Sequence, residues 1–256
     1  MAIVQLSNDQ LQVSIDVSHG ARISSIIASG VELLVTEADD TLNWGAYPMV
    51  PYAGRVRDGV FMFQGLQYEL PLRAQSSHAM HGTVLDHEWT TVESSATSAS
   101  FSCDLGTDWP FAGSVTHTVA LDAGALISTL TLTASEPMPA QVGWHPWFVR
   151  PATLRVDFAE MYLRDDAYIP DGRRVTPPPG PWDDCFIGAR HTPVVEFDDG
   201  TCLHIESDCD HWVIYDMPTH ALCVEPQSGP PDGFSLAPHV ITQRSPLQRT
   251  MKLIAR

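Results

Sequence analysis

The stretch ALISTLTLT at residues 125–133 decides the fold class, because apolar and hydroxyl-bearing side chains alternate along most of its length. A period of two places successive side chains on opposite faces of an extended chain, and β-branched residues favour strands. Further strands are predicted in LQVSI at 11–15, ASFSC at 99–103, CLHI at 202–205 and WVIY at 212–215. No segment shows an amphipathic helix of three or more turns. We therefore predict an all-β protein.

Turn signals separate these strands at short intervals. Glycine beside Ser, Asp, Gln or Ala marks a chain reversal, as in Ser29-Gly30, Asp58-Gly59, Gln64-Gly65, Asp122-Ala123-Gly124, Asp171-Gly172 and Asp198-Asp199-Gly200. Many short strands with hairpin turns indicate an antiparallel sandwich or barrel. The proline-rich stretch at residues 176–181 lies between strand-like flanks. We interpret it as a stiff loop and predict one domain over residues 1–256.

Composition excludes some partners. The chain has 14 Lys and Arg against 31 Asp and Glu, a net charge of −17. Such a surface repels phosphate backbones and anionic lipid headgroups, so we expect neither a nucleic acid nor a membrane partner. Residues 1–16 lack a basic region followed by an apolar run, so no signal peptide is expected. Five cysteines without a C-x-x-C pair favour reduced thiols in a cytoplasm over disulfides or a zinc site.

Two segments in the first third of the chain combine charged groups with glycine. In GRVRDGVF at residues 54–61, alternation puts Arg55 and Arg57 on one face if the segment stays extended; a solvated edge strand is the alternative. In HAMHG at residues 78–82, the two histidines are three residues apart. On a strand these positions face opposite ways, so His78 and His81 are poor joint metal ligands. His81 adjoins Gly82, which permits close approach of backbone or ligand.

Two later segments place a titratable side chain among apolar residues. In GWHPWF at residues 143–148, His145 is either a packed core residue or a group in an aromatic-walled pocket. Aromatic rings such as Trp147 stack on the apolar face of a pyranose, so the second alternative suits sugar binding. In LCVEPQ at residues 222–227, an apolar strand is predicted to end on Glu225, with Pro226 fixing the turn. This geometry suits a positioned base; a strand-end Glu that faces water is the alternative.

Taken in order, these segments resemble the aldose 1-epimerase (galactose mutarotase) family. The first matches the family pattern through Arg55-Val56, Gly59, Phe61, Gly65, Tyr68 and Leu70. The family's H-x-[LIM]-H-G, H-P-[YW]-F, L-D-x-x-F and E-P-x-x-x-x-P-D patterns are similar to residues 78–82, 145–148, 182–186 and 225–232. The five short motifs occur in the correct order across residues 55 to 232, and the resemblance covers nearly the whole chain. The resemblance implies a large antiparallel β-sandwich with its site on one concave face.

The resemblance also implies roles for individual residues. Glu225 corresponds to the general base and His145 to the general acid, with His81 and Arg55 near the ring oxygen. Asp183 corresponds to an acceptor of sugar hydroxyls, although the neighbouring Asp184 fits the motif almost as well. The expected reaction opens a cyclic hemiacetal, with ionised Glu225 and protonated His145 on opposite sides of the C1–O5 bond. It requires neither a cofactor nor a metal.

Departures from the family pattern concern positions that contact substrate. Gly54 stands where the family often has Asn, and Arg73 stands near a position where an Asn is missing. These departures leave the identity of the sugar undetermined. One alternative is a hexose 6-phosphate mutarotase, which would use added cations such as Arg57 and Arg73. A carbohydrate-binding module on the same sandwich is another alternative. A hydrolase or lyase is less favoured, since a hydrolase would need two flanking carboxylates.

Overall fold

The computed structural model describes residues 3–73 and 76–256, which form 25 strands and two single helical turns. In chain order the strands are β1 Ile3–Ser7, β2 Leu11–Asp16, β3 Arg22–Ala28, β4 Val31–Glu32, β5 Ala46–Met49, β6 Arg55–Val56, β7 Val60–Phe63, β8 Leu66–Glu69, β9 Ala79–Met80, β10 Thr90–Ser94, β11 Ser98–Asp104, β12 Gly113–Asp122 and β13 Ala125–Ala134. They continue as β14 Met138–Pro139, β15 Gly143–Val149, β16 Ala152–Arg155, β17 Phe158–Arg164, β18 Pro170–Val175, β19 Asp183–Ala189, β20 Val194–Phe197, β21 Cys202–Ser207, β22 His211–Tyr215, β23 Ala221–Gln227, β24 Val240–Ile241 and β25 Leu247–Ala255. Helix α1 spans Gly233–Leu236, and a 3₁₀ turn spans Arg57–Gly59.

Two large antiparallel sheets dominate the fold, as the alternating pattern predicts. The first has eleven strands, in the order β1-β2-β3-β5-β15-β23-β22-β19-β17-β18 with β4 beside β3. The second has eight, in the order β10-β11-β12-β13-β25-β21-β20-β16. The stretch at residues 125–133 lies in β13, which pairs with β12 over ten residue pairs and with β25 on its other side. Its inward side chains, such as Leu130 and Leu132, are fully buried.

The inner faces of the sheets share one hydrophobic core, which is crossed by a chain of hydrogen bonds. His117 on β12 contacts the carbonyl of Ala21 through Nδ1 at 3.1 Å and the hydroxyl of Ser128 through Nε2 at 2.7 Å. Trp144 on β15 donates its indole N–H to the same hydroxyl at 2.8 Å. All three side chains are fully buried. This relay ties the second sheet to the strand of the first that carries His145.

The central strands of the first sheet are buried on both faces. β15 and β23 are buried over nearly their whole length, which explains why residues 221–224 read as one apolar run. The prediction that this strand ends at Glu225 is wrong, because β23 continues through Pro226 to Gln227. Proline usually marks a strand edge because it cannot donate to the ladder. Here Gln227 still pairs with Gly143 on one side and His211 on the other, so the strand extends past the proline.

Two further local predictions need correction. The segment does not stay extended beyond Val56: Arg57–Gly59 form a 3₁₀ turn in which Asp58 has φ 53°. Asp171-Gly172 is not a reversal but lies inside the edge strand β18, where the register with β17 is irregular and Gly172 has φ 87°. The other five turn signals separate strands as predicted, and residues 176–181 connect β18 to β19.

All five cysteines are free, and Cys185, Cys209 and Cys223 are buried. Within residues 3–73 and 76–256, no helix has the length and apolar character needed to cross a membrane.

Candidate active site

A row of side chains runs across the outer face of the first sheet. Strand register sets His145 opposite Tyr47, and Val213 opposite both Glu225 and Cys185. Between β15 and β23, Gly143 pairs with Gln227 and Trp147 pairs with Cys223. His145 is midway between Gly143 and Trp147, so it lies opposite Glu225. Because side chains alternate along a strand, all five members of the row project to the same face. The site is thus assembled by strand pairing rather than by loops.

His145 and Glu225 are in direct contact on this face. His145 Nε2 lies 3.3 Å from Glu225 Oε1, and the residues are only 5% and 2% exposed. The alternatives of a packed core His and a strand-end Glu in water both fail, because both residues line a cavity of about 190 Å³. The expected placement on opposite sides of a sugar bond stays a prediction. Neighbouring strands hold the two groups side by side.

Burial shifts the pKa values of both members of this pair when the site is empty. Desolvation raises the pKa of Glu225 well above its ordinary value, and the charge of Asp183 adds to the shift. Desolvation lowers the pKa of His145 to about 3, with a further contribution from Arg55. Both shifts favour the neutral forms of the two groups, since a dry site disfavours charge. The ionised Glu and protonated His expected from sequence concern the complex with sugar and stay a prediction.

His81 approaches the same pair from a separate segment. Its ring centroid lies 5.0 Å from that of His145 at a nearly perpendicular angle, and its Nδ1 is 2.8 Å from the sulfur of Met49. Burial holds the pKa of His81 well below its ordinary value. A Cβ on Gly82 would lie 1.9 Å from the Val50 carbonyl oxygen, so this glycine permits the close backbone approach predicted for it. His78 instead accepts a hydrogen bond from the Asp58 N–H at 3.0 Å.

Arg55 and Asp183 lie together on the cavity wall. Arg55 Nη2 is 3.7 Å from Asp183 Oδ2, and no hydrogen bond within the described residues engages the Asp183 carboxylate. Asp184 is committed elsewhere, because its Oδ1 accepts from Arg164 Nε at 2.7 Å. Burial raises the pKa of Asp183, and Arg55 opposes the shift. Asp183 is therefore the one of the two neighbours with free acceptor capacity.

Trp147 lines the cavity but is placed differently from the expected stacking platform. Its ring stacks on His145 with centroids 5.2 Å apart and on His220 with centroids 6.1 Å apart. Its indole N–H donates to the Leu42 carbonyl at 2.7 Å, and the residue is 4% exposed. Little ring surface remains for a sugar. Trp147 instead packs against the imidazole of His145.

The cations proposed for a phosphorylated sugar do not line the cavity. Arg57 pairs with Asp165 at 2.8 Å, and Arg73 pairs with Asp86 at 2.6 Å. Sequence analysis missed other lining residues, among them Arg164, Tyr168 and Gln227. Gln227 is two residues beyond Glu225 on the same strand face, but it was missed because the strand was predicted to end at Glu225. Tyr168 lies in a turn between β17 and β18 and carried no sequence signal.

Gly54 has a steric reason to depart from the family pattern. Its φ is 68°, and an added Cβ would lie 2.8 Å from both Cβ and Cγ of Pro231. The backbone N–H of the next residue, Asp232, donates to the Arg55 carbonyl at 2.6 Å. The turn at residues 230–232 thus occupies the space that a side chain at position 54 would need.

One group could hold a metal in the part of the chain that the structure describes. His145, Cys223 and Glu225 offer donor atoms within 4.8 Å of one another. Nitrogen, sulfur and oxygen donors suit zinc. However, the family resemblance assigns two of the three to acid–base chemistry, and the nearby positive charge of Arg55 opposes a cation. The expectation that no metal is needed stays a prediction.

Comparison with known proteins gives a consistent result. The family model for aldose 1-epimerases matches residues 2–245. The uncharacterized Escherichia coli K12 proteins YphB and YihR are 31% identical over 105 residues and 24% identical over 139 residues. These matches cover 40% and 51% of this chain but only 36% and 45% of the two proteins. The chain thus spans less than half the length of the curated relatives it matches.

Solved structures support the same fold over the whole chain. A candidate aldose 1-epimerase from Escherichia coli K12 superposes with a TM-score of 0.89 at 21% identity, covering 100% of this chain and 99% of that one. A galactose 1-epimerase from Lactobacillus acidophilus NCFM superposes with a TM-score of 0.84 at 16% identity, covering 99% and 94%.

Proposed function

The chain belongs to the aldose 1-epimerase family, and on this premise we propose that it interconverts the α and β anomers of a free, neutral aldose. The observation that carries the proposal is the buried contact of 3.3 Å between His145 Nε2 and Glu225 Oε1 inside the cavity. A hemiacetal needs one base and one acid to open, and this contact supplies both kinds of group. We also propose that residues 1–256 act as one domain, since both sheets share one core.

The proposed reaction moves two protons at C1. Glu225 takes the proton of the C1 hydroxyl, and His145 gives one to the ring oxygen, so that the C1–O5 bond breaks and an aldehyde forms. Both oxygens are bonded to C1, so two side-chain atoms 3.3 Å apart can reach them together. Rotation about C1–C2 exposes the other face of the aldehyde. Closure returns both protons and gives the other anomer.

The position of the pair's proton changes during this cycle. Ring opening starts with ionised Glu225 and protonated His145 and ends with the proton on Glu225. Burial favours the final arrangement, since it raises the pKa of Glu225 and lowers that of His145 to about 3. The same shifts make the ionised starting arrangement costly to form, so relaxation of the pair only returns that cost. Arg55 opposes the upward pKa shift of Glu225 but lowers the pKa of His145 further, so the ionised arrangement at the start depends on hydrogen bonds with the sugar hydroxyls.

The arginines at the cavity support a neutral substrate. Arg55 and Arg164, which line the cavity, lie beside Asp183 and Asp184, and Arg57 is paired with Asp165. A phosphate dianion would need unpaired, convergent cations. Asp183 instead offers free oxygens that accept sugar hydroxyls, and Arg55 and His81 supply donors near the ring oxygen. The hexose 6-phosphate alternative is therefore less favoured.

Glu225→Gln tests the proposal and separates an enzyme from a binding module. The amide keeps size and hydrogen bonding but cannot accept the C1 proton, so kcat should fall by about two to four orders of magnitude. Sugar affinity should change little. Polarimetry with fresh α-D-glucose, α-D-galactose and L-arabinose measures the rate, with the exposed Glu206→Gln as matched control.

Two outcomes would contradict the proposal. Mutarotation by Glu225→Gln at the wild-type rate would overturn the base assignment. Wild-type protein that binds sugar without accelerating anomer exchange would leave only the binding module. His145→Asn should also lose kcat, and the double variant should be little slower than either single one, because the two groups act as a unit.

A further inference from the structure

Gln227 shares the outer face of β23 with Glu225 and contacts it directly. The two residues are separated by one position, so alternation points both side chains to the cavity side. Gln227 Nε2 donates to Glu225 Oε2 at 3.1 Å, and Gln227 is fully buried. No other described group donates a hydrogen bond to that oxygen. The two oxygens of the carboxyl group are thereby divided, one contacting His145 and the other Gln227.

The amide of Gln227 is otherwise poorly satisfied. Its Oε1 is buried and has no partner among the described residues. A buried acceptor without a partner costs free energy, which an apolar side chain of similar size would avoid. The one internal hydrogen bond of this amide is the one to Glu225. The hydrogen bond to Glu225, rather than stabilisation of the core, therefore explains why an amide side chain stands at position 227.

The neighbouring strand β15 has a glycine at the position opposite Gln227, which makes room for the Gln227 side chain. Gly143 is the register partner of Gln227, and a Cβ added there would lie 3.1 Å from Gln227 Cγ. The same Cβ would lie 3.1 Å from the terminal methyl of Met49, which contacts His81. A bare backbone at position 143 thus accommodates both the amide beside Glu225 and the thioether beside His81.

From these contacts we propose that Gln227 is a positioning residue, which fixes the Glu225 carboxyl group so that Oε1 faces His145 and the substrate. The inference rests on the proposed function. It follows the arrangement in which a catalytic group is oriented by a third residue that never touches the reacting atoms. Without the amide, the carboxyl group can rotate about its terminal torsion and lose its alignment.

Gln227→Met tests the inference, because methionine keeps the volume and removes the donor. We expect kcat to fall by about 10- to 100-fold, as for other orienting contacts around a site, with KM changed by less than about twofold. The melting temperature should stay equal or rise, since the unpartnered carbonyl is gone. Gln141→Met is the matched control: Gln141 is also buried, but it donates to the Pro230 carbonyl outside the cavity lining.

A double variant shows whether Gln227 acts through Glu225. In a Glu225→Gln background, Gln227→Met should cause no further loss of kcat, since there is no base left to align. The assay uses enough protein for the Glu225→Gln rate to exceed spontaneous mutarotation. An unchanged kcat in Gln227→Met, or an equal loss in both backgrounds, would overturn the inference. A wild type without mutarotase activity would instead overturn the proposed function.

Discussion

Acid should destabilise this protein through His117, the buried histidine of the inter-sheet relay. Burial lowers its pKa from 6.5 to about 4, only partly opposed by the contact with the Ala21 carbonyl. Protonation would also give Nε2 a hydrogen and turn it from the acceptor of the Ser128 hydroxyl into a donor. In the unfolded chain the imidazole is exposed and titrates near its ordinary value. The two states therefore bind this proton at different pH.

The sign and size of the effect follow from that difference. Above pH 6.5 neither state is protonated at this residue and stability is unaffected. Between pH 6.5 and 4 the unfolded state binds the proton and the folded state does not, so the free energy of unfolding falls as pH falls. Each pKa unit is about 1.4 kcal/mol, which gives a loss of about 2 kcal/mol at pH 5 and about 3.4 kcal/mol at the limit. Below pH 4 the contribution levels off.

Urea unfolding followed by tryptophan fluorescence measures the effect. His81 and His145 have pKa values shifted in the same direction and add to the wild-type slope, so the comparison is with His117→Asn. Asparagine can still donate to the Ala21 carbonyl but does not titrate. The decrease in unfolding free energy from pH 7 to pH 5 should be about 2 kcal/mol smaller in the variant. Equal decreases in both proteins would refute the role of His117.

Three further predictions concern the site. Dialysis against EDTA should leave full activity, and a loss restored by zinc or manganese would show that the histidine–thiol–carboxylate group holds a functional metal. A neutral aldose should exceed its 6-phosphate in kcat/KM; a preference for the phosphate that disappears in Arg57→Ala or Arg73→Ala would establish the alternative substrate. Gly54→Asn should destabilise the protein by about 1–3 kcal/mol, because its Cβ meets Pro231. Gly65→Asn, with a similar φ and open space around it, is the control, and equal melting temperatures for the two would contradict this explanation.

The strands were predictable because burial of one sheet face imposes a period of two. In residues 125–133 and the neighbouring strands, the alternation of apolar and polar side chains directly reflects this one-sided burial. At β23 the same logic fails, because the strand is buried on both faces and shows no alternation. Pro226 then looked like an end, which concealed Gln227. Propensity rules consider one strand by itself. The extent of β23 is instead set by its pairing with β15 on one side and β22 on the other.

The candidate site was predictable in identity but not in arrangement. Motifs identified His81, His145 and Glu225, and the structure places all three in one cavity. Their protonation could not be derived from sequence, because it depends on desolvation created by the surrounding strands. The commitment of Asp184 to Arg164, which leaves Asp183 free, depends on tertiary contact in the same way. Arg57 was misplaced because the extended segment ends at Val56 and a 3₁₀ turn begins at Arg57.

The row of side chains on the outer face of the first sheet constrains the order in which the protein can fold during synthesis. Pro146 pairs with Ala46, one hundred positions earlier, and Trp147 pairs with Cys223 far downstream. Such distant pairings give a high contact order, which slows folding because long loops must close first. During synthesis, early hairpins can form while β15 still lacks β23. In a nascent chain His145 therefore cannot contact Glu225 until most of the chain has been synthesised, and a fragment ending before residue 225 lacks this contact however well its hairpins fold.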